Sequence, residues 1–407
     1  MLRDLSARAI LSSIADAAER WIDADFPPRV RATAAIERRL HYTVPVIDYA
    51  LHRLFVALRE DVLEAAIAGE LGSVAALDGF VQRAGRPDAF ARGVDRVAIV
   101  SSDTTIGVAI VPAIYALCAK CDVTVKDRSD DLVAAFFSSL AQERPEFRDA
   151  ARAQRWTGGT DAVESDILGC ADTVVAFGND DTLRAIRAHL RADARFVPFG
   201  HRMSVGFVDV AAIGDDTRGI VLDGIARDTL LYDGEGCLSL HALFVAGDAT
   251  AVAQFTADLA AVFATVATEF PAGTLDPQRA VAVAAYRKLG AFRAAGGQGA
   301  IFAPDGGRAL IALDPSRDEP PPLLPRVLPV YPVGGPDDAA RYMREKRLPV
   351  MAIGVADPAD PAMLAFAEAA GAVRIAPLGE MQSPPPGGHH GGSPRIADFV
   401  RWIDREW

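Results

Sequence analysis

Residues 95–126 read DRVAIVSSDTTIGVAIVPAIYALCAKCDVTVK, and this stretch decides the fold class. A β-branched run at 97–100 precedes an apolar, helix-like segment at 107–120, and a second β-branched run follows at 123–126. A strand, a helix and another strand in this order are typical of a βαβ unit in a mostly parallel sheet. The stretch therefore predicts an α/β fold.

The same alternation continues along the chain. Strand-like runs recur at 173–177, 195–199, 204–208, 243–245, 308–313, 326–331, 350–355 and 372–376, and helical patterns at 130–142, 180–191, 216–230 and 250–268 lie between several of them. Two α/β domains placed end to end, each with a Rossmann-like parallel sheet and with a cleft between them, are the natural interpretation.

Four regions are expected along the chain. Residues 1–90 form a helical amino-terminal region, 91–203 a first α/β domain, 204–376 a second α/β domain, and 377–407 a carboxyl-terminal tail. A helical pattern is predicted at 394–404 within this tail. The tail is expected to pack on the first α/β domain or to contribute to an oligomer interface.

Composition excludes several classes of function. Among 407 residues, 42 basic and 54 acidic side chains give a formal charge of −12, which offers no attraction to nucleic acid or to an anionic membrane. The longest uncharged apolar stretch, 106–119, is shorter than the ~18–20 residues of a membrane span. A charged amino terminus and only four cysteines favour a reduced, cytoplasmic protein.

Cys237 is the strongest candidate for a reacting group. It follows Gly236 in YDGEGCLS, and a thiol next to glycine can lie on backbone that a substrate carbonyl approaches closely. The alternative is a buried structural cysteine. His241 lies four residues later but begins an apolar strand-like run, which favours a packed histidine over a base.

Lys126 and Gly178 each end a predicted strand. Ligands of open α/β sheets bind at that edge, although Lys126 could equally be a solvated strand end. Gly178 is followed by a helical pattern whose first N–H groups could face a phosphate, and Asn179 could instead be a plain N-cap. The GxGxxG dinucleotide motif is absent, and TGGT at 157–160 is equally consistent with a turn.

Other motifs are expected to be structural. Cys118 and Cys121 form a CxxC without a second ligand pair and fit core packing, while His389 and His390 lack further ligands in their Gly/Pro-rich loop. We therefore predict no metal site. The absence of a GxSxG motif argues against an α/β-hydrolase.

Taken together, these segments resemble the acyl-CoA reductase (LuxC-type) family of the aldehyde dehydrogenase superfamily. VTVKDRS resembles the lysine strand of that superfamily, VVAFGNDDTLRAI its turn under the cofactor pyrophosphate, and YDGEGCLS its nucleophile loop. VRIAPLGEMQSPPPGGHHGG is similar to the tail of the reductases themselves. The resemblance extends from about residue 94 onward and implies an aldehyde-dehydrogenase-like fold with a cofactor domain at 91–203 and a catalytic domain at 204–376.

The resemblance also implies roles for individual residues. Cys237 becomes the nucleophile, and Lys126 a contact to the adenosine ribose. NAD-specific members hold a ribose-binding glutamate where this chain has Ser129, and Arg128 stands beside it. A guanidinium without a carboxylate suits a 2′-phosphate, so NADPH is expected rather than NADH. The cofactor-binding candidates are Lys126, Arg128, Ser129, Gly158, Gly159, Gly178 and Asn179.

Three positions depart from the family pattern. Pro198 stands where a dehydrogenase has its general-base glutamate, and the ribose-contacting glutamate is absent near Pro322, with Glu319 close by. Asp103 falls where the superfamily has an oxyanion-hole asparagine, and an ionised carboxylate there opposes the developing charge.

The expected activity is NADPH-dependent reduction of a long-chain fatty acyl thioester to the aldehyde through an S-acyl cysteine. His201 and Ser204 are candidate helpers, with Asp103, at the reaction centre. The expected partners are acyl-CoA or an acylated carrier or protein, and the family implies a homo-oligomer. The alternatives are a catalytically weak scaffold that binds acyl thioesters, motivated by Asp103, and a cysteine acyltransferase or thioesterase.

Overall fold

The computed structural model describes residues 1–102, 105–127, 131–158 and 162–406. The chain divides into two compact units. Unit 1 comprises residues 1–40, 47–201 and 385–407, and unit 2 comprises residues 41–46 and 202–384. Unit 1 therefore contains most of the amino-terminal helices together with the first α/β domain and the end of the chain.

The described residues contain the following helices and strands. The helices are α1 (Ala7–Ile22), α2 (Pro27–Leu40), α3 (Val44–Val56), α4 (Glu60–Leu71), α5 (Ile110–Cys118), α6 (Leu132–Glu143), α7 (Phe147–Ala150), α8 (Ala162–Cys170), α9 (Asp180–Ala188), α10 (Asp215–Leu230), α11 (Ala249–Glu269), α12 (Pro277–Ala295), α13 (Pro336–Glu345) and α14 (Pro361–Ala369). The strands are β1 (Val81–Arg83), β2 (Arg86–Gly93), β3 (Arg96–Val100), β4 (Asp122–Lys126), β5 (Ala151–Gln154), β6 (Thr173–Phe177), β7 (Arg195–Phe199), β8 (Met203–Asp209), β9 (Leu240–Ala246), β10 (Ala300–Phe302), β11 (Leu310–Leu313), β12 (Val327–Val333), β13 (Val350–Val355), β14 (Arg374–Pro377) and β15 (Val400–Arg405).

The central sheet of unit 1 is a five-stranded parallel sheet in the order β5-β4-β3-β6-β7. The chain moves outward from β3 through β4 to β5 and then returns to the other side of β3 with β6. The carboxyl ends of β3 and β6 therefore meet at a topological switch point, where open α/β sheets bind their ligands. Val100 pairs with Lys126 on one side and with Ala176 on the other, so these strand ends lie at one edge.

The amino-terminal helices pack through an aromatic cluster. Trp21 of α1 lies 4.9 Å from Phe55 and 5.9 Å from Phe136, measured between ring centroids, and its indole N–H donates to the Ser139 hydroxyl at 2.9 Å. Phe55 belongs to α3, and Phe136 belongs to α6, which lies between β4 and β5 in the chain. The cluster therefore joins the first helices of the chain to a helix that connects strands of the central sheet.

The helical prediction for 394–404 is wrong. Residues 400–405 form β15, which pairs antiparallel with β2 from Val400 opposite Gly93 to Arg405 opposite Asp88. The neighbouring strand β2 supplies the backbone partners, so tertiary pairing overrides the weak local pattern. The three strands β1, β2 and β15 form a small sheet within unit 1.

Unit 2 is built on a seven-stranded sheet in the order β10-β11-β12-β9-β8-β13-β14, in which only the β10–β11 pair is antiparallel. Its apolar core contains a triangle of rings, Phe244, Tyr331 and Tyr342, with centroids 5.4–5.6 Å apart. The predicted α/β class with parallel sheets is confirmed.

One helix among the described residues, α11, has the length and hydropathy of a membrane span, and 33% of its most apolar window is buried. Long core helices share these features, so this is weak evidence for a span. Val252, Phe255, Leu259 and Phe263 form its buried face.

Candidate active site

Cys237 lies on the loop between α10 and β9, and this loop begins with an unusual backbone turn. Tyr232, Asp233 and Gly234 adopt left-handed conformations in succession, with φ values of 56°, 52° and 72°. Such conformations cost of order 1 kcal/mol or more for each residue that carries a side chain, and they persist only where the surroundings enforce them. The turn therefore needs a specific anchor.

Arg326 is that anchor. Only 1% of the residue is exposed, and its Nη1 donates to Asp233 Oδ1 and to the Phe270 carbonyl, each at 3.0 Å. Its backbone N–H donates to the Asp233 carbonyl at 2.8 Å, while the Gly273 N–H donates to Asp233 Oδ2 at 3.1 Å. Burial raises the pKa of Asp233, and the charge of Arg326 opposes this shift.

The Cys237 side chain is exposed, yet the protein mass around it desolvates the sulfur. This desolvation raises the pKa of the thiol, whereas the backbone N–H groups of Cys237 and Leu238 and the charge of Arg374 lower it. Burial has the larger effect, so the pKa of the thiol is raised overall, and these N–H groups and Arg374 reduce the rise without reversing it. This environment differs from that of an inert core cysteine.

Ser204, one of the predicted helpers, lies directly against the loop that carries Cys237. Its hydroxyl donates to the Cys237 carbonyl at 2.7 Å, and its N–H donates to Nδ1 of His241 at 3.2 Å. His241 is 7% exposed and belongs to β9, so it packs against this backbone instead of facing solvent. The Ser204 hydroxyl therefore holds the loop at the backbone carbonyl of Cys237. Among the described contacts, no hydrogen bond joins Ser204 to the sulfur.

A second set of contacts holds the loop from the other side. Residues 378–383 follow β14 and form a segment that we call the strap. Asp228 at the end of α10 accepts the N–H groups of Gly379 at 2.6 Å and Met381 at 3.1 Å. Burial raises the pKa of Asp228 to about 7, against the lowering effect of these donors and of Arg374.

Gln382 connects the strap to the loop that carries Cys237. Its Nε2 donates to the Ser239 hydroxyl at 2.7 Å and to the Asp228 carbonyl at 3.3 Å. Ser239 in turn accepts the Gly236 N–H at 3.1 Å. A carbonyl oxygen can only accept a hydrogen bond, so the atom of the Gln382 amide that faces the Asp228 carbonyl must be the nitrogen. The residue that precedes Cys237 is thus tied to the strap.

Arg374 combines a charge with a structural contact. Its guanidinium donates to the carbonyls of Met381 at 2.6 Å and Glu380 at 2.9 Å, and its charge lowers the pKa of Cys237. Burial lowers the pKa of Arg374 itself, and the charges of Asp228, Glu380 and Cys237 oppose this shift.

We expect Arg374→Met to slow alkylation of Cys237 by iodoacetamide severalfold at neutral pH. Removing the cation raises the pKa of the thiol, so less thiolate is present at a given pH and the rate profile moves to higher pH. Peptide mass spectrometry across a pH series measures this shift. Arg374→Lys is the matched control. It retains the positive charge but lacks the guanidinium that donates to the Met381 and Glu380 carbonyls. Equal slowing in both variants contradicts the electrostatic role.

Lys126 lies in a polar cluster at the end of β4 in unit 1. Its Nζ is 3.5 Å from Glu164 Oε1 and 5.2 Å from the centre of the Trp156 ring, and the lysine is 9% exposed. A Cβ at Gly158 would approach Nζ to 3.2 Å, so glycine leaves room at that position. The Trp156 indole nitrogen is buried without a hydrogen-bond partner among the described residues.

The switch point of unit 1 shows a second buried donor. The Ser102 hydroxyl, just after β3, has no hydrogen-bond partner in the described parts of the chain. Gly178 follows β6, and its N–H donates to the Phe199 carbonyl at 3.2 Å. Asn179 caps α9 through Oδ1, which accepts the Thr182 N–H at 2.9 Å. Its side chain is therefore used as the N-cap that the pattern allowed.

Six further residues belong to the predictions made from the sequence. Asp103, Arg128, Ser129 and Gly159 lie outside the described residues. His201 is exposed and belongs to unit 1, and Pro198 lies in β7.

The remaining motifs are engaged in packing. Cys118 and Cys121 are completely buried, and burial raises the pKa of both thiols. His390 stacks on Phe199 with ring centroids 4.2 Å apart, and its pKa falls to about 4, chiefly through burial. Within the described ranges, no group of three or more metal-ligating side chains is found.

Sequence reasoning missed Asp228, Arg326, Arg374 and Gln382 around Cys237, and Glu164 beside Lys126. Most of their contacts join residues that are far apart in the chain, for example 93 positions for Arg326 and Asp233. The signal that could have been used is local: Arg374 and Gln382 both lie within VRIAPLGEMQS, the segment that resembles the reductase tail.

Comparison with known proteins identifies the chain. A family model described as "Acyl-CoA reductase (LuxC)" matches residues 2–402. The chain belongs to the acyl-CoA reductase (LuxC) family. The resemblance inferred from the sequence is thereby confirmed.

Two curated relatives of this acyl-CoA reductase family member are acyl-protein thioester reductases. The long-chain acyl-protein thioester reductase 2 of Photobacterium leiognathi is 31% identical over 94 residues, which are 23% of this chain and 19% of that protein. The long-chain acyl-protein thioester reductase of Photobacterium phosphoreum is 21% identical over 255 residues, 60% of this chain and 50% of that protein. The matches thus span half the length of these relatives or less.

The fold of this family member is that of aldehyde dehydrogenases. An NAD-dependent benzaldehyde dehydrogenase from Corynebacterium glutamicum superposes with a TM-score of 0.69 at 12% identity, over 99% of this chain and 87% of that one. The predicted aldehyde-dehydrogenase-like fold is therefore confirmed.

Proposed function

We propose that this chain reduces a long-chain fatty acyl thioester to the aldehyde, with NADPH as the reductant and Cys237 as the acyl acceptor. The observation that carries the proposal is the Cys237 thiol itself. It is exposed on a loop anchored from two sides, and two backbone N–H groups and the charge of Arg374 favour its thiolate. Burial still raises the pKa of the thiol overall, so the attacking thiolate becomes more abundant as the pH rises. A thiol on an exposed residue, with donors that face its thiolate, is what acyl transfer to a protein requires.

In the first step, the Cys237 thiolate attacks the carbonyl carbon of the thioester. A carbon–sulfur bond forms, and the π electrons of the carbonyl move to its oxygen. When they return, the bond to the donor sulfur breaks, and the donor leaves as a thiolate that takes a proton from solvent. The N–H groups of Cys237 and Leu238 stabilise negative charge at the reacting sulfur before the attack.

The absence of a carboxylate at Pro198 supports reduction over hydrolysis. A dehydrogenase needs a base there to activate water against its acyl-enzyme, whereas a reductase must preserve this intermediate. When bound, the nicotinamide supplies the hydride that reduces the acyl group. The Cys237 sulfur then leaves as a thiolate when the aldehyde departs.

Two features of unit 1 fit a nicotinamide dinucleotide. The Lys126 ammonium and the Glu164 carboxylate lie 3.5 Å apart and supply a donor and an acceptor suited to ribose hydroxyls. The buried indole nitrogen of Trp156 and the hydroxyl of Ser102 have no partner among the described residues and provide further hydrogen-bonding capacity. Lys126, Glu164 and Trp156 would hold the adenosine ribose, with Gly158 leaving room beside Nζ.

We propose NADPH as the preferred cofactor because Arg128 and Ser129 follow the lysine strand. A guanidinium next to a position that lacks the usual glutamate favours a 2′-phosphate. A free carboxylate at Glu164 would repel a 2′-phosphate. Its ion pair with Lys126 balances this negative charge, so the preference for NADPH remains. Comparing kcat/KM for NADPH and NADH tests this part of the proposal separately.

The acyl donor is proposed to be an acylated protein or an acyl-CoA with a long chain. The names of the two curated relatives, both long-chain acyl-protein thioester reductases, support this choice. We further propose that the chain works in the cytoplasm as a homo-oligomer, as the resemblance to the family implies.

The proposal is tested by incubating the full chain with NADPH and a panel of acyl-CoA thioesters of increasing chain length. We expect acyl-dependent oxidation of NADPH and an equal amount of aldehyde, identified by mass spectrometry. Saturable binding of both ligands without oxidation indicates a scaffold. Release of free thiol without consumption of NADPH indicates a thioesterase or acyltransferase, and either result overturns the proposal.

A further inference from the structure

Unit 2 contains a cavity of about 220 Å³ that is separate from the Cys237 sulfur. One wall is the face of α12 formed by Ala280, Val283 and Ala284, and Leu275 continues this wall. The lining also includes Gly307, Arg308 and Arg326, and Arg287 of α12. The cavity is therefore lined by an apolar helix face and by arginines.

Arg287 supplies a guanidinium at the rim. It lies so close to Gly307 that a Cβ there would approach its Nη1 to 3.0 Å, and Gly307 has a φ of +86°. Within the described ranges, no carboxylate lies at ion-pair distance from Arg287, whereas Arg308 pairs with Asp305 at 3.0 Å. The rim thus presents a positive charge without a protein counter-ion in the described structure.

Arg326 lines the cavity as a buried cation. Its Nε and Nη2 have no hydrogen-bond partner among the described residues, and Nη2 lies 3.5 Å from Asp305 Oδ2. Both atoms are enclosed by protein, and only 1% of the residue is exposed. Arg326 therefore acts on the cavity through its charge and not through a hydrogen bond to a ligand.

Strained backbone clusters around the same cavity. Asp233, Asp305 and Arg326 all have positive φ values, of 52°, 54° and 54°. Strain of this kind concentrates at functional sites and ligand clamps. Asp233 and Arg326 line the cavity, and Asp305 contacts Arg326 beside it.

We propose that this cavity binds a medium-chain carboxylate, with the aliphatic part along α12 and the carboxylate at Arg287. The volume corresponds to about seven water molecules at ~30 Å³ each, which suits a chain of about eight carbons and is too small for a dinucleotide or coenzyme A. Arg308 and Arg326 are balanced by Asp305 and Asp233, so the charge of Arg287, which has no carboxylate partner among the described residues, selects an anion over a cation.

Occupancy of the cavity is connected to the nucleophile loop. Asp233 is both a lining residue and part of the left-handed turn that precedes Cys237 by a few positions. A ligand in the cavity therefore lies beside a residue of this turn. The site is independent of the proposed reductase activity, since neither Cys237 nor the cofactor takes part in binding.

Binding of octanoate to the full chain is measured by isothermal titration calorimetry without acyl thioester or nucleotide. We expect saturable binding of octanoate and at least tenfold weaker binding of octylamine, which has the same length and the opposite charge. Ala284→Leu fills the cavity and is expected to weaken octanoate binding tenfold or more. Ala285→Leu is the matched control, because this exposed neighbour on α12 does not line the cavity.

Arg287→Glu reverses the charge at the rim and is expected to abolish binding, and as an exposed residue it leaves the fold intact. Equal octanoate affinity in the Ala284→Leu and Ala285→Leu variants overturns the proposal. Absence of binding to the wild-type chain at millimolar octanoate does the same. Because no arm of the experiment uses catalysis, a failure here leaves the reductase proposal untouched, and the reverse also holds.

Discussion

Replacing Cys237 by alanine is expected to lower acyl-dependent oxidation of NADPH on the order of a thousandfold or more. The variant lacks the sulfur that accepts the acyl group, so no S-acyl intermediate forms. Incubation with radiolabelled acyl-CoA should label the wild-type chain and leave the variant unlabelled. Peptide mapping should place the label on the peptide that contains residue 237.

Cys170→Ala is the matched control for this experiment. Cys170 is the other exposed cysteine among the free cysteines of the chain, and it ends α8 in unit 1. Its removal should leave both labelling and oxidation of NADPH unchanged. Full labelling of the Cys237→Ala variant, or loss of activity in the Cys170→Ala variant, would falsify the assignment of the nucleophile.

Replacing Arg326 by methionine is expected to lower the free energy of unfolding by about 3–5 kcal/mol. The substitution leaves Asp233, whose side chain is 8% exposed, as a buried carboxylate without its cation. It also removes the donor to the Phe270 carbonyl. Urea unfolding followed by circular dichroism measures the loss, and alkylation of Cys237 reports whether the left-handed turn persists.

The loss of stability caused by this variant should depend on pH. Burial already raises the pKa of Asp233, and losing Arg326 raises it further. A carboxyl whose pKa is higher in the folded state than in the unfolded state destabilises the fold as pH rises between those two values. The loss of stability should therefore be smaller at pH 5 than at pH 8.

The double variant Arg326→Met with Asp233→Asn should recover part of the lost stability, because it removes the unpaired charge. If the double variant recovers no stability, the proposed pairing of Arg326 with Asp233 is contradicted.

Much of the fold could be predicted from the sequence because the parallel strands are short, apolar and locally marked. The strands at 173–177, 195–199 and 350–355 have the predicted bounds. The strand at 400–405 was missed because only its partner at 86–93 makes it a strand. Strand pairing across some 300 residues leaves no trace in local periodicity.

The residues of the candidate site also divide into those with a local sequence signal and those without one. Cys237 and Lys126 could be singled out because each follows a local motif, whereas the residues that anchor them could not. Glu164 reaches Lys126 from the first turn of α8, and Gln382 reaches Ser239 across 143 positions. Such contacts depend on tertiary structure, which one sequence does not specify by inspection.

The pairing of β15 with β2 has a consequence for synthesis of the chain. Unit 1 is discontinuous, and its three-stranded sheet needs residues 400–405, which leave the ribosome after nearly all of unit 2. The emerging polypeptide therefore carries the backbone edge of residues 86–93 uncovered while some 300 further residues are translated. During that interval we expect this edge to be the segment most exposed to wrong pairing with other nascent chains, and chaperone capture there would protect the yield of native protein.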